Sequence, residues 1–235
     1  MVLLGTIANV ITIIIGTLFG LTLTRIKDSY KETIMHGIGL TVVIIGIQMA
    51  LESKSIIIVL LSILVGALIG ETLQLEKLLN QFAHLVSAKF TNGNNSANLA
   101  QGFITASLIF VVGAMAILGA LDSGMRGDHG ILYTKSILDG FTAMVLTSTL
   151  GIGVILSVIP IFIYQGSIAL LAAKINEYVP EIILNNLITE LTAIGGILII
   201  AIGLNILKLI EIRVTNLLPS LFIVVGFIYA QHYLL

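Results

Sequence analysis

Apolar residues run in unbroken stretches along the whole chain, separated by short polar islands. A hydrocarbon layer about 30 Å thick is crossed by roughly 20 helical residues, so each stretch is predicted to be a membrane-spanning helix. The stretches fall at roughly 2–24, 33–51, 55–74, 101–121, 131–151, 154–174, 186–208 and 216–234. Between 131 and 175 the run is nearly continuous, and only Gly151 and Gly153 suggest a turn. Barrel strands would instead alternate over segments of about ten residues. The pattern predicts an all-α fold, a polytopic transmembrane helix bundle of about eight spans, with the lipid bilayer as its first partner.

The polar islands set the expected orientation. Arg25, Lys27 and Lys31 lie in the first island, Lys77 and Lys89 in the third, and Lys208 and Arg213 in the seventh. With an even number of spans these islands share one side, which the positive-inside rule makes the cytoplasm. Lys54, Arg126 and Lys174 fall opposite, with Lys135 near a membrane end. Both termini are then expected outside, in a multi-pass membrane protein. In the longest island, Leu75, Leu78, Leu79, Phe82, Leu85 and Val86 recur at helical spacing, which predicts an amphipathic cytoplasmic helix. The run Thr91-Asn92-Gly93-Asn94-Asn95-Ser96 after it reads as a flexible connector.

Composition narrows the function. Hydrophobic residues make up 57% of the chain and charged residues 10%, with a formal net charge of −1, so no basic face for nucleic acid exists. The absence of cysteine excludes disulfides, thiolate catalysis and cysteine metal sites. Met1 leads straight into apolar sequence without a basic leader or small-residue cleavage site, so it is read as the start of the first span. No Ser–His–acid spacing, Walker loop or dinucleotide fingerprint appears, which argues against an enzyme and against a bound cofactor.

Weak self-similarity links the first three stretches to the last three. Ile15-Gly16-Thr17-Leu18 resembles Gln165-Gly166-Ser167-Ile168. Gly39-Leu40 and Gly46-Ile47-Gln48 resemble Gly196-Ile197 and Gly203-Leu204-Asn205 at the same offset. Leu61, Ile63 and Val65-Gly66 match Leu221, Ile223 and Val225-Gly226. Units beginning on opposite sides of the membrane form an inverted three-helix repeat, an arrangement of many secondary transporters. The expected organisation is one transmembrane domain over 1–235: a first repeat 1–75, a cytoplasmic amphipathic linker 76–100, a central helix pair 101–151 and a second repeat 152–235. Gly16/Gly20, Gly66/Gly70 and Gly195/Gly196 are read first as packing residues that let backbones approach, and such faces also suit homo-oligomer formation.

Ionisable groups inside apolar segments are costly and are the first candidates for function. Lys135 and Asp139 stand four apart on one helical face, and Asp139 lies more than a turn inside its predicted span. Asp139 is a candidate proton- or cation-coupling carboxylate or solute contact with Lys135 as its counter-ion. The alternative is a fixed pair near the outer interface with Lys135 reaching to water. Glu190, with Asn185, Asn186 and Thr189 before it, is a candidate cation or amine contact, or an acid completing a helix N-terminus. Asn9, Gln48, Gln165 and Asn205 are uncharged polar residues within apolar helices, which either contact solute or hydrogen-bond across helices. Gln48 and Asn205 hold matching repeat positions. Pro160 and Tyr164-Gln165-Gly166 suggest a broken sixth helix. The Asp122–His129 segment reads as a tight outer turn, and His36, His84 and His232 are too scattered to ligate a metal.

Several segments taken together resemble a known group. These are Ile34-Met35-His36-Gly37-Ile38-Gly39-Leu40, Ile45-Gly46-Ile47, Val112-Gly113-Ala114-Met115-Ala116-Ile117-Leu118-Gly119, Lys135-Ser136-Ile137-Leu138-Asp139-Gly140, Gly151-Ile152-Gly153-Val154 and Tyr164-Gln165-Gly166. With these the chain resembles the YdfK/YqgA-like domain-of-unknown-function family of bacterial membrane proteins over nearly its whole length. The resemblance implies a bacterial inner-membrane protein of a group often described as transporters, and it carries no substrate. The expected function is secondary transport of a small solute or ion, coupled through an intramembrane carboxylate. An ion channel and a non-transporting scaffold or regulatory subunit are the alternatives.

Overall fold

Helices here are set by length of apolar run and ended by glycine, proline or a polar island. The computed structural model describes residues 1–22, 28–78, 81, 96–111 and 114–234. Among them no strand occurs, and the elements are α1 (Leu4–Thr22), α2 (Asp28–Ala50), α3 (Ile56–Leu73), α4 (Ser96–Val111), α5 (Ala114–Met125) and α6 (Gly130–Leu150). A 3₁₀ segment (Gly151–Ser157) follows, then α7 (Val158–Tyr178), α8 (Glu181–Ile206), the short α9 (Val214–Leu217) and α10 (Ser220–Leu234).

Five helical stretches among the described residues are long and apolar enough to cross a membrane, or six if α4 and α5 form one bent span. One of the five, Gly130–Ile175, is 46 residues long and runs from the start of α6 to the last turn of α7. It folds back on itself. Gly151 has φ of 77°, a left-handed conformation that glycine adopts without Cβ strain, and it ends α6 there. Leu132 lies against Gly5, and Met144 and Thr147 lie against Gly20, so α6 runs parallel to α1. Gly166 then returns to the side chain of Leu3, which places α7 antiparallel to both. The turn expected at Gly151 and Gly153 is thus present.

Sidedness within α1 and α6 is the reverse of that in a water-soluble protein. On α1 the buried residues are Gly5, Thr6, Asn9, Ile13, Gly16, Thr17 and Gly20, while Ile7, Ile11, Ile15, Leu18 and Phe19 face outward. On α6 the protein-facing set includes Lys135, Ser136, Asp139 and Gly140, and the outward set Ile137, Leu138 and Phe141. Small and polar residues make the helix–helix contacts and large aliphatic ones meet the surroundings, which suits hydrocarbon as solvent. The chain is a helical membrane protein.

The chain packs as two units. The first is Met1–Glu32 with Ala97–Val179, the second Thr33–Ser96 with Pro180–Leu235. This division differs from the expected one along the chain, because α1 packs with α6 and α7 while α2 and α3 pack with α8, α9 and α10. In the first unit a Cβ at Gly16 would overlap the carbonyl oxygen of Gly140, so the α1 and α6 backbones touch there. In the second unit Gly39 meets Gly203 and Gly46 meets Gly196, which makes α2 and α8 antiparallel. Gly66 lies against Ser220 and Gly70 against Asn216, so α3 runs antiparallel to the α9–α10 segment.

Two other expectations change. The fourth stretch is not one straight helix: α4 and α5 are bent by 58° across their break. The sixth is not broken at Tyr164-Gln165-Gly166, since α7 is continuous and Pro160 lies in its first turn, where no intrahelical N–H is required. The expected amphipathic helix over 75–86 and the connector 91–96 lie largely outside the described residues, with 75–78 helical.

Candidate functional site

Three helices of the first unit bring four polar side chains together in an apolar surrounding. From α6, one helical turn separates Lys135 and Asp139, so their side chains project from the same face. Lys135 Nζ donates to Asp139 Oδ1 at 2.9 Å and lies 2.9 Å from Oδ2, bridging the carboxylate. From α1, Asn9 Nδ2 donates to Asp139 Oδ2 at 3.0 Å and also to Gln165 Oε1 of α7 at 3.4 Å. Relative exposure is 7% for Lys135, 5% for Asp139 and 0% for both amides, which removes the reading of Lys135 as a chain reaching to water.

The close α1–α6 approach explains how the cluster forms. Gly140 follows Asp139, and a Cβ there would stand 2.9 Å from the Thr12 carbonyl oxygen. With both backbones this near, the short Asn9 side chain spans the gap to Asp139. The cluster is only partly closed on itself. Asn9 Oδ1 and Gln165 Nε2, one acceptor and one donor, have no hydrogen-bond partner among the described residues. Thr6 Oγ1, one turn before Asn9 on the same face, is likewise buried and unpartnered.

Glu190 takes a different role in the second unit. Its Oε2 accepts from Ser53 Oγ at 2.7 Å, and its Oε1 accepts the backbone N–H groups of Lys54 at 2.9 Å and Ser55 at 3.0 Å. These donors immediately precede α3, so the α8 carboxylate completes the N-terminus of α3 rather than of its own helix. Asn205 Nδ2 donates to the Ile212 carbonyl at 2.8 Å while its Oδ1 accepts the Ile212 N–H at 2.8 Å, closing the loop after α8. Gln48 is exposed on α2. The glycine contacts put Gln48 and Asn205 toward opposite ends of the α2–α8 crossing, so their matching sequence positions do not meet. Of the seven candidates, Asn9, Lys135, Asp139 and Gln165 converge; Glu190, Asn205 and Gln48 belong to the other unit.

Other polar contacts escaped the sequence reading. Glu71 pairs with Arg213 and accepts from Asn216 Nδ2 at 2.6 Å, while Asn216 Oδ1 accepts the Glu76 N–H at 2.8 Å. Ser123 Oγ pairs with His129 Nδ1 and donates to the Val2 carbonyl at 3.2 Å, tying the turn after α5 to the start of α1. Asp128 Oδ1 accepts the Gly130 N–H at 2.9 Å at the start of α6. The only advance signal was compositional, serine or acid beside a helix start. Among the described residues, no three His, Cys, Asp or Glu side chains gather to hold a metal ion.

Comparison with known proteins agrees with the segments quoted above. Residues 4–229 match the model of a family described as "Protein of unknown function (DUF554)", and the chain belongs to that family. It is 37% identical over 233 residues to the "Uncharacterized membrane protein YdfK" of Bacillus subtilis (strain 168), covering 97% of this chain and 96% of that one. It is 31% identical over 222 residues to the "Uncharacterized protein YqgA" of Escherichia coli (strain K12), covering 93% of each. No solved structure matches it.

Proposed function

We propose that this chain is a secondary transporter of a small solute or ion in the bacterial inner membrane, coupled to a proton or cation gradient through Asp139. The observation that carries this reading is the buried Lys135–Asp139 pair held by amides from two other helices. A buried ion pair is often no more stabilising than two apolar side chains of similar volume. Leucines could pack α6 without the desolvation cost, so stability alone is a poor reason for these charges. A carboxylate neutralised by a flexible side chain can exchange that partner, which is what a coupling site must do.

The topology we propose has eight spans, with α6 and α7 separate, α2 included, α4 and α5 taken as one bent span, and both termini outside. An inverted three-helix repeat supports it. Helices α1 and α7, α2 and α8, and α3 and α10 run antiparallel, as repeat partners of opposite orientation must. Gly39 and Gly46 match Gly196 and Gly203 in sequence and meet them crosswise in space, as a two-fold relation would require.

The test is uptake and efflux in proteoliposomes under an imposed proton or sodium gradient, across cations, amino acids and small organic acids. Gradient-driven accumulation is expected in the native protein and is lost in Asp139→Asn, which still inserts and folds. Coupled flux retained by that variant removes Asp139 from the mechanism.

A further inference from the structure

We propose that Asp139 and Asn9, backed by Gln165, form a site for a dehydrated alkali cation, whose place the Lys135 ammonium holds in this structure. The inference rests on the reading of Asp139 as the coupling group and names the ion it exchanges.

Lys135 bridges both carboxylate oxygens from the same helix, one turn away. Its flexible four-carbon stem lets the ammonium swing off without any movement of α6 against α1. Oδ1 and Oδ2 of Asp139 then remain at the vacated position, with the Asn9 amide beside Oδ2. At present Asn9 turns its N–H groups toward Asp139 and Gln165, leaving Asn9 Oδ1 and Gln165 Nε2 unpartnered, both on fully buried side chains.

Turning over both amides exchanges the paired atoms for the unpaired ones. Asn9 Oδ1 comes to lie beside the carboxylate, where it suits a cation, and Gln165 Nε2 donates to that same Oδ1. The two atoms without partners are thus the acceptor and the donor that the exchanged state uses. Hard cations take oxygen ligands, which is what these side chains supply. A single carboxylate balances a single positive charge. A monovalent cation therefore replaces the Lys135 ammonium at the carboxylate charge for charge. Binding of the cation releases Lys135, and return of Lys135 expels the cation.

The experiment follows thermal unfolding of the purified full-length protein in detergent. Sodium, lithium and potassium chloride are compared with choline chloride at matched ionic strength. Without its tethered competitor, Lys135→Met is expected to be half-saturated by an alkali cation at a concentration about tenfold or more below that of the native protein. Lys135→Met/Asp139→Asn is expected to show no difference between alkali and choline salts. If Lys135→Met unfolds on extraction, Lys135→Gln, which keeps a donor against the carboxylate, carries the same comparison. An equal response to choline and alkali salts in the lysine variant overturns the proposal, as does an alkali response that persists in the double variant. Stabilisation by acid alone identifies a proton site and also overturns it. The readout needs no flux: cation binding without gradient-driven transport removes the transporter reading and leaves the site. Gradient-driven transport without alkali binding leaves the transporter with a different coupling ion.

Discussion

Asp139 and Glu190 are both buried carboxylates in apolar helices, and the contrast between their surroundings separates a movable site from a fixed one. Glu190 is satisfied by two backbone N–H groups and a serine hydroxyl at the entrance to α3. Those donors cannot leave without unravelling the turn, so the carboxylate acts as a clasp between α8 and the α2–α3 loop. Asp139 is satisfied by side chains alone, the longest of them with several rotatable bonds. Two acids of similar burial therefore have opposite capacities for exchange, decided by whether their partners are backbone or side chain.

The largest expected effect comes from unbalancing the exchangeable pair. Lys135→Leu leaves an unpaired buried carboxylate and is expected to cost about 3–5 kcal/mol in denaturant unfolding in choline buffer. Lys135→Leu/Asp139→Leu should return to within about 1 kcal/mol of the native protein or exceed it, because two apolar groups replace a desolvated pair. A double variant as unstable as the single one would make the pair a structural requirement and erase the contrast. Next comes Glu190→Gln, in which an amide replaces the carboxylate before the same donors, with an expected loss of about 1–3 kcal/mol. Its flux per folded molecule should be unchanged, and lost coupling in a stable Glu190→Gln protein would place both acids in the pathway. Smallest are the two repeat-matched amides. Asn205→Leu forfeits both bonds to Ile212 and should cost about 1–2 kcal/mol, whereas exposed Gln48→Leu should stay within about 0.5 kcal/mol, both read as shifts in Tm.

Much of the helix content was legible because membrane thickness imposes a length that composition reveals directly. The turn at Gly151 was legible too, since glycine in so long an apolar run has few other uses. So was the Lys135–Asp139 pair, whose four-residue spacing is local. What could not be read was which helices meet. Asn9 and Gln165 stood out as polar residues in apolar helices, but their convergence on Asp139 depends on the parallel packing of α1 and α6, set by contacts such as Gly16 on Gly140. The partners of Glu190 could not be read for the same reason: its donors, Ser53 to Ser55, lie in a loop more than a hundred residues away and carry no periodic signal. The match between Gln48 and Asn205 concerned sequence offset, and an antiparallel crossing sends equal offsets to opposite ends.

The left-handed backbone at Gly151 also bears on how the chain is made. As one uninterrupted helix, the 46 residues of Gly130–Ile175 would extend about 69 Å, more than twice the hydrocarbon thickness. Insertion machinery that gauges hydrophobicity alone would meet a single overlong segment there. In the proposed topology the reversal lets α6 and α7 enter the bilayer as a hairpin, so one residue with no neighbour within 4 Å of its absent Cβ would help fix which side of the membrane every later loop reaches.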